Sequence, residues 1–173
     1  MKKCRVAILG GGRIGKLHAE NIYRQLPQFI LAGIADPYAP LDWAHSLNIP
    51  LITTDSDALI QDSEIDAIII ASPALQHVPQ AIAASEMGKA VFCEKPLGLK
   101  EADILSCMAT IEKNETLLQV GFNRRFDPNF LNVQNRHHNY VQHHNIQIFY
   151  QNSIFCLNKH LQIGHPEHPL NIN

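Results

Sequence analysis

Three glycines near the N-terminus have the spacing of a phosphate-binding loop. Gly10, Gly12 and Gly15 fit the pattern G-x-G-x-x-G, with Arg13 and Ile14 between the last two. In such a loop the first glycine makes the tight turn, the second lets the backbone approach a pyrophosphate, and the third lets a helix pack closely on the strand. The free N–H groups at the helix start would stabilise the phosphate charge. A plain glycine turn is the alternative, but the apolar strand before the loop and the amphipathic helix after it favour dinucleotide binding.

An acidic residue follows the last of these glycines by 21 positions. Asp36, within Ala35-Asp36-Pro37, ends the second apolar run of the chain. A carboxylate at this place accepts hydrogen bonds from an adenosine ribose hydroxyl and repels a 2′-phosphate. The spacing therefore predicts NAD(H) rather than NADP(H) as the cofactor, with a turn-forming aspartate before Pro37 as the alternative.

A charged pair follows a later apolar run. Glu94-Lys95-Pro96 comes directly after the run at 90–93. A lysine at the carboxyl end of a strand, beside a nicotinamide, can hydrogen-bond a substrate hydroxyl and assist its deprotonation as the hydride leaves. Lys95 is therefore the candidate catalytic and substrate-binding residue, although it could simply pair with Glu94. Pro96 fixes the turn and permits a cis peptide bond before it.

Ser72, Pro73 and His77 form a third group of candidate cofactor residues. Ser72 and Pro73 follow the apolar run at 67–71, and open α/β sheets bind ligands at the carboxyl ends of their strands. Ser72 is equally well explained as the N-terminal cap of the helix that follows. His77 is expected on a face of that helix, near the edge of the cofactor, rather than in catalysis.

The segments that position these residues alternate between two kinds. Short runs rich in Val and Ile predict buried strands, and their near-continuous apolar character is typical of a parallel sheet covered on both faces. Strands are predicted at 5–9, 30–35, 67–71, 90–93 and 117–120, and helices at 14–25, 40–47, 75–87 and 100–113. Strand–helix alternation at this spacing predicts βαβ units, hence an α/β fold with a doubly wound parallel sheet of the Rossmann type.

Composition and charge exclude several classes of protein. The formal net charge of the 173 residues is −2, so we expect no nucleic-acid partner and no membrane partner. No stretch approaches the ~20 apolar residues that a membrane span needs. The four cysteines contain no C-x-x-C pair, which predicts reduced thiols in a cytoplasmic protein.

The amino-acid composition of the sequence changes near residue 132. Residues 132–173 contain seven of the ten histidines, eight Asn and five Gln, but no Ala, no Asp and a single Glu. We therefore divide the chain into a Rossmann dinucleotide-binding domain, 1–122, and a crossover segment with an atypical tail, 123–173. The pairs His137-His138 and His143-His144 could chelate a metal ion. No thiolate or carboxylate accompanies them, so no metal site is predicted.

Taken together, the motifs resemble the Gfo/Idh/MocA oxidoreductase family. The resemblance covers residues 1 to about 131 and rests on the glycine loop, Asp36, the Ser72-Pro73…His77 segment and Glu94-Lys95-Pro96. The phrase Val120-Gly121-Phe122-Asn123-Arg124-Arg125-Phe126-Asp127-Pro128 is similar to the inositol 2-dehydrogenase branch in particular.

The resemblance implies an NAD-dependent oxidoreductase that transfers a hydride from a secondary alcohol of a cyclic polyol or sugar to NAD. By position, Lys95 would face the substrate, while Glu94 and Pro96 would shape the cofactor pocket. Arg125 and Asp127 would lie near the active-site floor or begin the crossover to the second domain. For Arg125 the resemblance implies a substrate contact, with a solvated or backbone-capping role as the alternative.

The chain also departs from the pattern of that family. Members resemble each other in being nearly twice this length, and a second α/β domain supplies their substrate pocket, their oligomer surface, and an Asp and a His for proton abstraction. Nothing after residue 131 matches that domain, which implies a truncated chain with the second domain absent and the expected base missing. A homo-oligomer of the family type is then not expected. A non-catalytic NAD-binding module and a non-functional remnant are the alternatives to a dehydrogenase.

Overall fold

The computed structural model describes residues 2–38 and 42–129, without the side chain of Arg125. Strands and helices alternate along these residues, and a short 3₁₀ helix, Asn123–Phe126, follows the last strand. The strands are β1 (Cys4–Leu9), β2 (Phe29–Ala35), β3 (Leu51–Thr53), β4 (Ala67–Ile70), β5 (Ala90–Cys93) and β6 (Leu118–Val120). The helices are α1 (Arg13–Gln25), α2 (Asp42–Ser46), α3 (Ser56–Gln61), α4 (Ala74–Glu86) and α5 (Glu101–Lys113).

These six strands form one parallel sheet in the order β3-β2-β1-β4-β5-β6. The chain builds outward from β1 to β3 and then returns to the other side of β1 with β4. The carboxyl ends of β1 and β4 are therefore adjacent where the strand order reverses, and open α/β sheets bind ligands at such a point. We call the edge at which all six strands end the carboxyl edge. The predicted doubly wound Rossmann fold is confirmed.

Both faces of the sheet are buried, and β1 supplies side chains to both. Ala7 and Leu9 pack in a cluster with α3, α4 and α5, whereas Val6 and Ile8 pack in a second cluster with α1 and α2. This division follows from the two-residue period of a strand, which turns successive side chains to opposite faces. Burial on both faces also explains why the strands read as continuous apolar runs.

The pairing of β1 with β2 contains one irregularity. The register shifts after Val6, which leaves Ala32 of β2 as an additional residue. Ala32 and Ala35 belong to the cluster with α3 to α5, whereas Leu31 and Ile34 belong to the cluster with α1 and α2. The odd spacing departs from the alternation of a regular strand, as a β-bulge does.

The five predicted strands and four predicted helices are confirmed, whereas the short strand β3, the short helix α3 and the 3₁₀ helix were missed. The ends of the predicted elements agree to within one residue except for α2, whose predicted start lies outside the described residues. The edge strand β3 is only three residues long, too short for a periodic signal. The six-residue helix α3 is similarly short, and Asp55 caps its N-terminus through a carboxylate that accepts a hydrogen bond from the N–H of Asp57 at 2.9 Å.

The proposed division after residue 122 stays a prediction. The 3₁₀ helix begins directly after this point, and residues 130–173, with both histidine pairs, lie outside the described part of the chain. Within the described ranges, none of the helices combines the length and apolar character needed to cross a membrane.

Candidate cofactor site

The glycine loop joins β1 to α1 at the carboxyl edge, and two of its glycines have no room for a side chain. Gly10 has a φ of +102°, and a Cβ there would lie 2.6 Å from the carbonyl carbon of Ala71. Gly15 lies in the first turn of α1, where a Cβ would overlap the carbonyl oxygen of Gly10. The structure thus shows a tight turn at Gly10 and close helix packing at Gly15, while their part in cofactor binding stays a prediction.

Gly12 differs from the other two glycines because open space lies beside it. No atom lies within 4 Å of the position that a Cβ would take. Gly12 is the N-terminal cap of α1 and provides no side-chain hydrogen bond, so the first turn, which begins with Arg13 and Ile14, has no side-chain cap for its free N–H groups. A pyrophosphate suits this place, since backbone N–H groups and the helix dipole stabilise negative charge.

Asp36 lies beside the glycine loop, at the end of β2. Its Oδ2 accepts a hydrogen bond from the N–H of Gly11 at 2.6 Å, and its Oδ1 accepts one from the N–H of Tyr38 at 2.8 Å. The first bond brings the predicted ribose-binding carboxylate and the predicted phosphate-binding loop into direct contact. The bond to Tyr38 matches the turn-forming alternative, so the same carboxylate stabilises the turn after β2 and fixes the glycine loop.

The segment after β4 places Ser72 next to the glycine loop. A Cβ on Gly10 would lie 2.7 Å from the backbone nitrogen of Ser72, so the two loops are in contact. The Ser72 hydroxyl donates a hydrogen bond to Oε1 of Gln80 at 2.6 Å. Pro73, not Ser72, is the N-terminal cap of α4, and no side-chain hydrogen bond caps it. The alternative interpretation of Ser72 as a helix cap is therefore wrong.

His77 is buried in the first turns of α4. Its Nδ1 lies 2.7 Å from the carbonyl oxygen of Pro96, and its Nε2 lies 2.8 Å from the carbonyl oxygen of Ser72. Only 2% of the residue is exposed. His77 therefore touches two predicted site segments through their backbones, and the expectation of a place on the helix face near the cofactor stays a prediction.

Glu94 contacts a residue that the sequence analysis did not select. Its Oε1 lies 3.0 Å from Nε2 of His18 on α1, and both side chains are about one-fifth exposed. The rings of His18 and Phe92 also pack edge-to-face, with centroids 5.3 Å apart. A Cβ on Gly121 would lie 3.3 Å from the same carboxylate oxygen, so this glycine leaves room for Glu94. The carboxylate pairs with His18 and accepts a long hydrogen bond from the backbone N–H of Lys95 at 3.3 Å, but it does not pair with the lysine's ammonium group.

Lys95 is exposed at the carboxyl edge. Among the described residues its ammonium group has no hydrogen-bond or ion-pair partner, so the alternative of a pair with Glu94 is wrong. The peptide bond between Lys95 and Pro96 is cis. Arg125 lies in the 3₁₀ helix, and its side chain lies outside the described part, so its substrate contact stays a prediction.

A thiol at the end of β5 does not offer a nucleophile. Burial raises the pKa of Cys93 to about 12, with smaller contributions from Cys107 and Glu94, and its Sγ donates to the carbonyl oxygen of Glu94 at 3.3 Å. A thiol with this pKa stays protonated at neutral pH, whereas a nucleophile must be the thiolate. Lys95 therefore stays the candidate catalytic residue at this strand end.

These contacts define the class of protein. A glycine loop without a side-chain cap, a carboxylate at the end of β2 and a lysine after β5 share the carboxyl edge of a parallel sheet. The arrangement is that of a dinucleotide-binding Rossmann domain.

The family follows from comparison with known proteins. Residues 4–122 match the model of the Gfo/Idh/MocA oxidoreductases, described as an oxidoreductase family with an NAD-binding Rossmann fold. The chain belongs to this family. The predicted family and the predicted cofactor, NAD, are confirmed.

Individual relatives agree with that assignment. The chain is 37% identical over 128 residues to the myo-inositol 2-dehydrogenase of Thermotoga maritima, covering 73% of this chain and 38% of the relative. It is 35% identical over 134 residues to the scyllo-inositol 2-dehydrogenase (NAD(+)) of Bacillus subtilis, covering 76% and 39%. The crystal structure of scyllo-inositol dehydrogenase from Lactobacillus casei with bound NAD(H) and scyllo-inositol matches with a TM-score of 0.70 and 34% identity, over 82% of this chain and 41% of that one. The chain thus spans about two-fifths of the length of these relatives.

Proposed function

We propose that this chain binds NAD in preference to NADP and acts in an oxidoreductase of the inositol 2-dehydrogenase type. The reaction is hydride transfer from a secondary alcohol of a cyclic polyol or sugar to NAD⁺. The observation that carries the proposal is the position of Lys95, exposed on the same sheet edge as the uncapped glycine loop. The inositol dehydrogenases among the relatives suggest the substrate class.

In this proposal the cofactor is held mainly by backbone groups and one carboxylate. The N–H groups at the start of α1 bind the pyrophosphate, and Gly12 leaves them open to it. Asp36 accepts hydrogen bonds from the adenosine ribose and repels a 2′-phosphate. Each of its oxygens keeps a further lone pair beside its present hydrogen bond, so it can bind the ribose without releasing Gly11.

The chemistry falls to the segment after β5. NAD⁺, when bound, supplies the nicotinamide that accepts the hydride. The Lys95 ammonium donates a hydrogen bond to the substrate hydroxyl and stabilises the negative charge that develops on its oxygen. Glu94 and Pro96 fix the backbone that carries this lysine, Ser72 and Pro73 border the cofactor, and Arg125 adds a substrate contact.

A second candidate function is NAD binding without turnover. In the ranges 2–38 and 42–129, no carboxylate or imidazole is paired with the Lys95 side chain, so no base is held against this lysine there. A base is needed for alcohol oxidation at neutral pH. This observation favours a binding domain over a self-sufficient enzyme.

Calorimetric titration of the full chain with NAD⁺ and NADP⁺, followed by assays of NAD⁺ reduction with myo-inositol and scyllo-inositol, separates the candidates. Turnover that disappears in Lys95→Met supports the dehydrogenase. Tight NAD⁺ binding without turnover supports the binding domain. A folded protein that binds neither cofactor would contradict both.

A cytoplasmic location and the lack of a family-type homo-oligomer complete the proposal. Cys4, Cys93 and Cys107 are free thiols, as proteins of a reducing compartment maintain them. Cell fractionation tests the location, and light scattering of the purified chain tests the oligomeric state. Recovery of the chain in the periplasmic fraction would contradict the cytoplasmic location. A stable dimer in solution would contradict the lack of a homo-oligomer.

A further inference from the structure

Both ring nitrogens of the buried His77 face carbonyl oxygens. The distances are 2.7 Å from Nδ1 to the oxygen of Pro96 and 2.8 Å from Nε2 to the oxygen of Ser72. A carbonyl oxygen accepts hydrogen bonds and cannot donate one. Each contact is therefore a hydrogen bond only when the ring nitrogen carries the proton.

The charge state of the ring follows from this count. A neutral imidazole has an N–H on one nitrogen, so its other nitrogen would turn a lone pair toward a carbonyl oxygen at hydrogen-bond distance. The imidazolium has an N–H on both nitrogens and satisfies both contacts.

Among the described residues, no carboxylate forms an ion pair with His77. Their ion pairs are Lys2 with Asp66 and His18 with Glu94. Glu94, the acidic side chain of the segment that His77 contacts, is thus directed to α1. The positive charge of His77 is balanced by two backbone carbonyl dipoles instead.

The two contacts join the ends of adjacent strands. Ser72 follows β4, and Pro96 follows β5 by way of Glu94 and Lys95. The segment Glu94-Lys95-Pro96 is therefore held from both faces of the sheet, because α4 packs on one face and α1, with His18, packs on the other.

We propose that His77 is a positioning residue: as an imidazolium it ties the carbonyl oxygens of Ser72 and Pro96 together and thereby fixes the segment that carries Lys95. The consequence for Lys95 as a substrate-binding residue rests on the proposed function. The charge state and the tie itself do not depend on it.

The charge state can be read from the full chain labelled with nitrogen-15 histidine, without cofactor. At neutral pH, we expect His77 to show two nearly equal ring-nitrogen shifts, the signature of an imidazolium, with the exposed His45 of α2 as the reference signal. His77→Asn and His45→Asn assign the signals. Two well-separated shifts for His77, the signature of a neutral tautomer, would overturn the proposal.

The tie can be measured by hydrogen exchange of the Glu94 amide, which donates to the carbonyl oxygen of Ile70 at 2.9 Å. His77→Gln keeps a donor near the position of Nε2 but loses the bond to Pro96, so exchange should rise roughly tenfold, the effect of losing one hydrogen bond to a charged donor. His77→Asn keeps a donor near the position of Nδ1, so exchange should rise less. His45→Asn is the surface control.

Unchanged exchange in a folded His77→Gln protein would sink the positioning role. If neither His77 variant folds, the nitrogen shifts of the unaltered chain still decide the charge state on which the tie depends. Failure of NAD⁺ binding in the unaltered chain would instead contradict the proposed function and leave both measurements on His77 interpretable.

Discussion

The carboxyl edge has two halves, one where β1 and β2 end and one where β4 and β5 end. A carboxylate fixes the loops that follow the strands of the first half, whereas two histidines fix those of the second half. Asp36 accepts hydrogen bonds from the N–H groups of Gly11 and of Tyr38, which follows it in the turn. On the other side, His77 contacts two carbonyl oxygens and His18 contacts the carboxylate of Glu94.

The difference reflects what each half presents to a ligand. The first half offers backbone N–H groups, which requires residues without side chains at the points of approach. The second half offers the side chain of Lys95, so its backbone must be fixed from behind by other groups. A loop that binds a ligand through its backbone needs small residues at the points of approach. A loop that presents a side chain needs other residues, here His18 and His77, to fix its backbone.

The largest expected effect is at Lys95. If the second half exists to present this ammonium group, Lys95→Met should lower any polyol-dependent reduction of NAD⁺ by about 10²- to 10⁴-fold, the usual contribution of acid–base groups. Stability should change by less than about 0.5 kcal/mol, because the side chain is exposed and has no described partner. Turnover assays and urea unfolding measure the two effects, and a large loss of stability would assign Lys95 a structural role.

The next effect separates two glycines of the first half. Gly15→Ala places a Cβ on the carbonyl oxygen of Gly10, so it should destabilise the protein by roughly 1–3 kcal/mol or more. Gly12→Ala is the matched control, because its Cβ enters open space and should cost less than about 1 kcal/mol. Urea unfolding measures both. Similar losses in the two variants would show that crowding does not distinguish these positions.

A smaller effect concerns the carboxylate of the first half. Asp36→Ala removes the acceptor for Gly11 and the ribose, so NAD⁺ binding should weaken about tenfold or more. Asp36→Asn keeps an acceptor oxygen but removes the charge that repels a 2′-phosphate, so it should mainly reduce the preference for NAD⁺ over NADP⁺. Calorimetric titration with both cofactors tests this, and an unchanged preference in Asp36→Asn would rule out the charge as its cause.

The smallest effect lies at the opposite edge of the sheet, where β1 and β4 begin side by side. Asp66 Oδ2 accepts a hydrogen bond from the N–H of Arg5 at 2.7 Å, and this bond holds the pKa of Asp66 below its usual value. A pKa lowered by folding stabilises the protein above the unfolded value of about 3.9, and the contribution is lost as the pH falls through the folded value. Asp66→Asn should cost less than about 1 kcal/mol at neutral pH, because the side chain is partly exposed.

Urea unfolding at a series of pH values tests this last expectation. The stability difference between Asp66→Asn and the unaltered chain should shrink as the solution becomes acidic. A difference that is independent of pH would show that the carboxylate charge does not contribute.

The contacts of the first half could be predicted from the sequence, whereas those of the second half could not. The glycine loop and Asp36 are predictable because their spacing along the chain fixes their contact, which joins residues 25 positions apart. The contact of His18 with Glu94 joins residues 76 positions apart and follows only from the packing of α1 against the end of β5. One signal was present: His18 lies three residues after Gly15, and residues three apart share a helix face.

The short elements and the helix cap show a second limit. Neither β3 nor α3 is long enough for its residue pattern to be told from a loop. Ser72 has the residue type of a cap, but its hydroxyl finds an acceptor in Gln80 instead. Local preference predicts such details only where no tertiary partner competes.

The additional residue in β2 decides to which side of the sheet that strand delivers its last side chains. Beyond an inserted residue, odd and even positions exchange faces. Ile34 thereby joins the side on which α1 packs, and Asp36, two positions later, leaves the strand with the same parity. If the same residues followed the regular alternation of a strand, Ile34 and Asp36 would lie on the opposite face from Leu31. The additional residue therefore keeps the final carboxylate on the side of α1, where it accepts the hydrogen bond from Gly11.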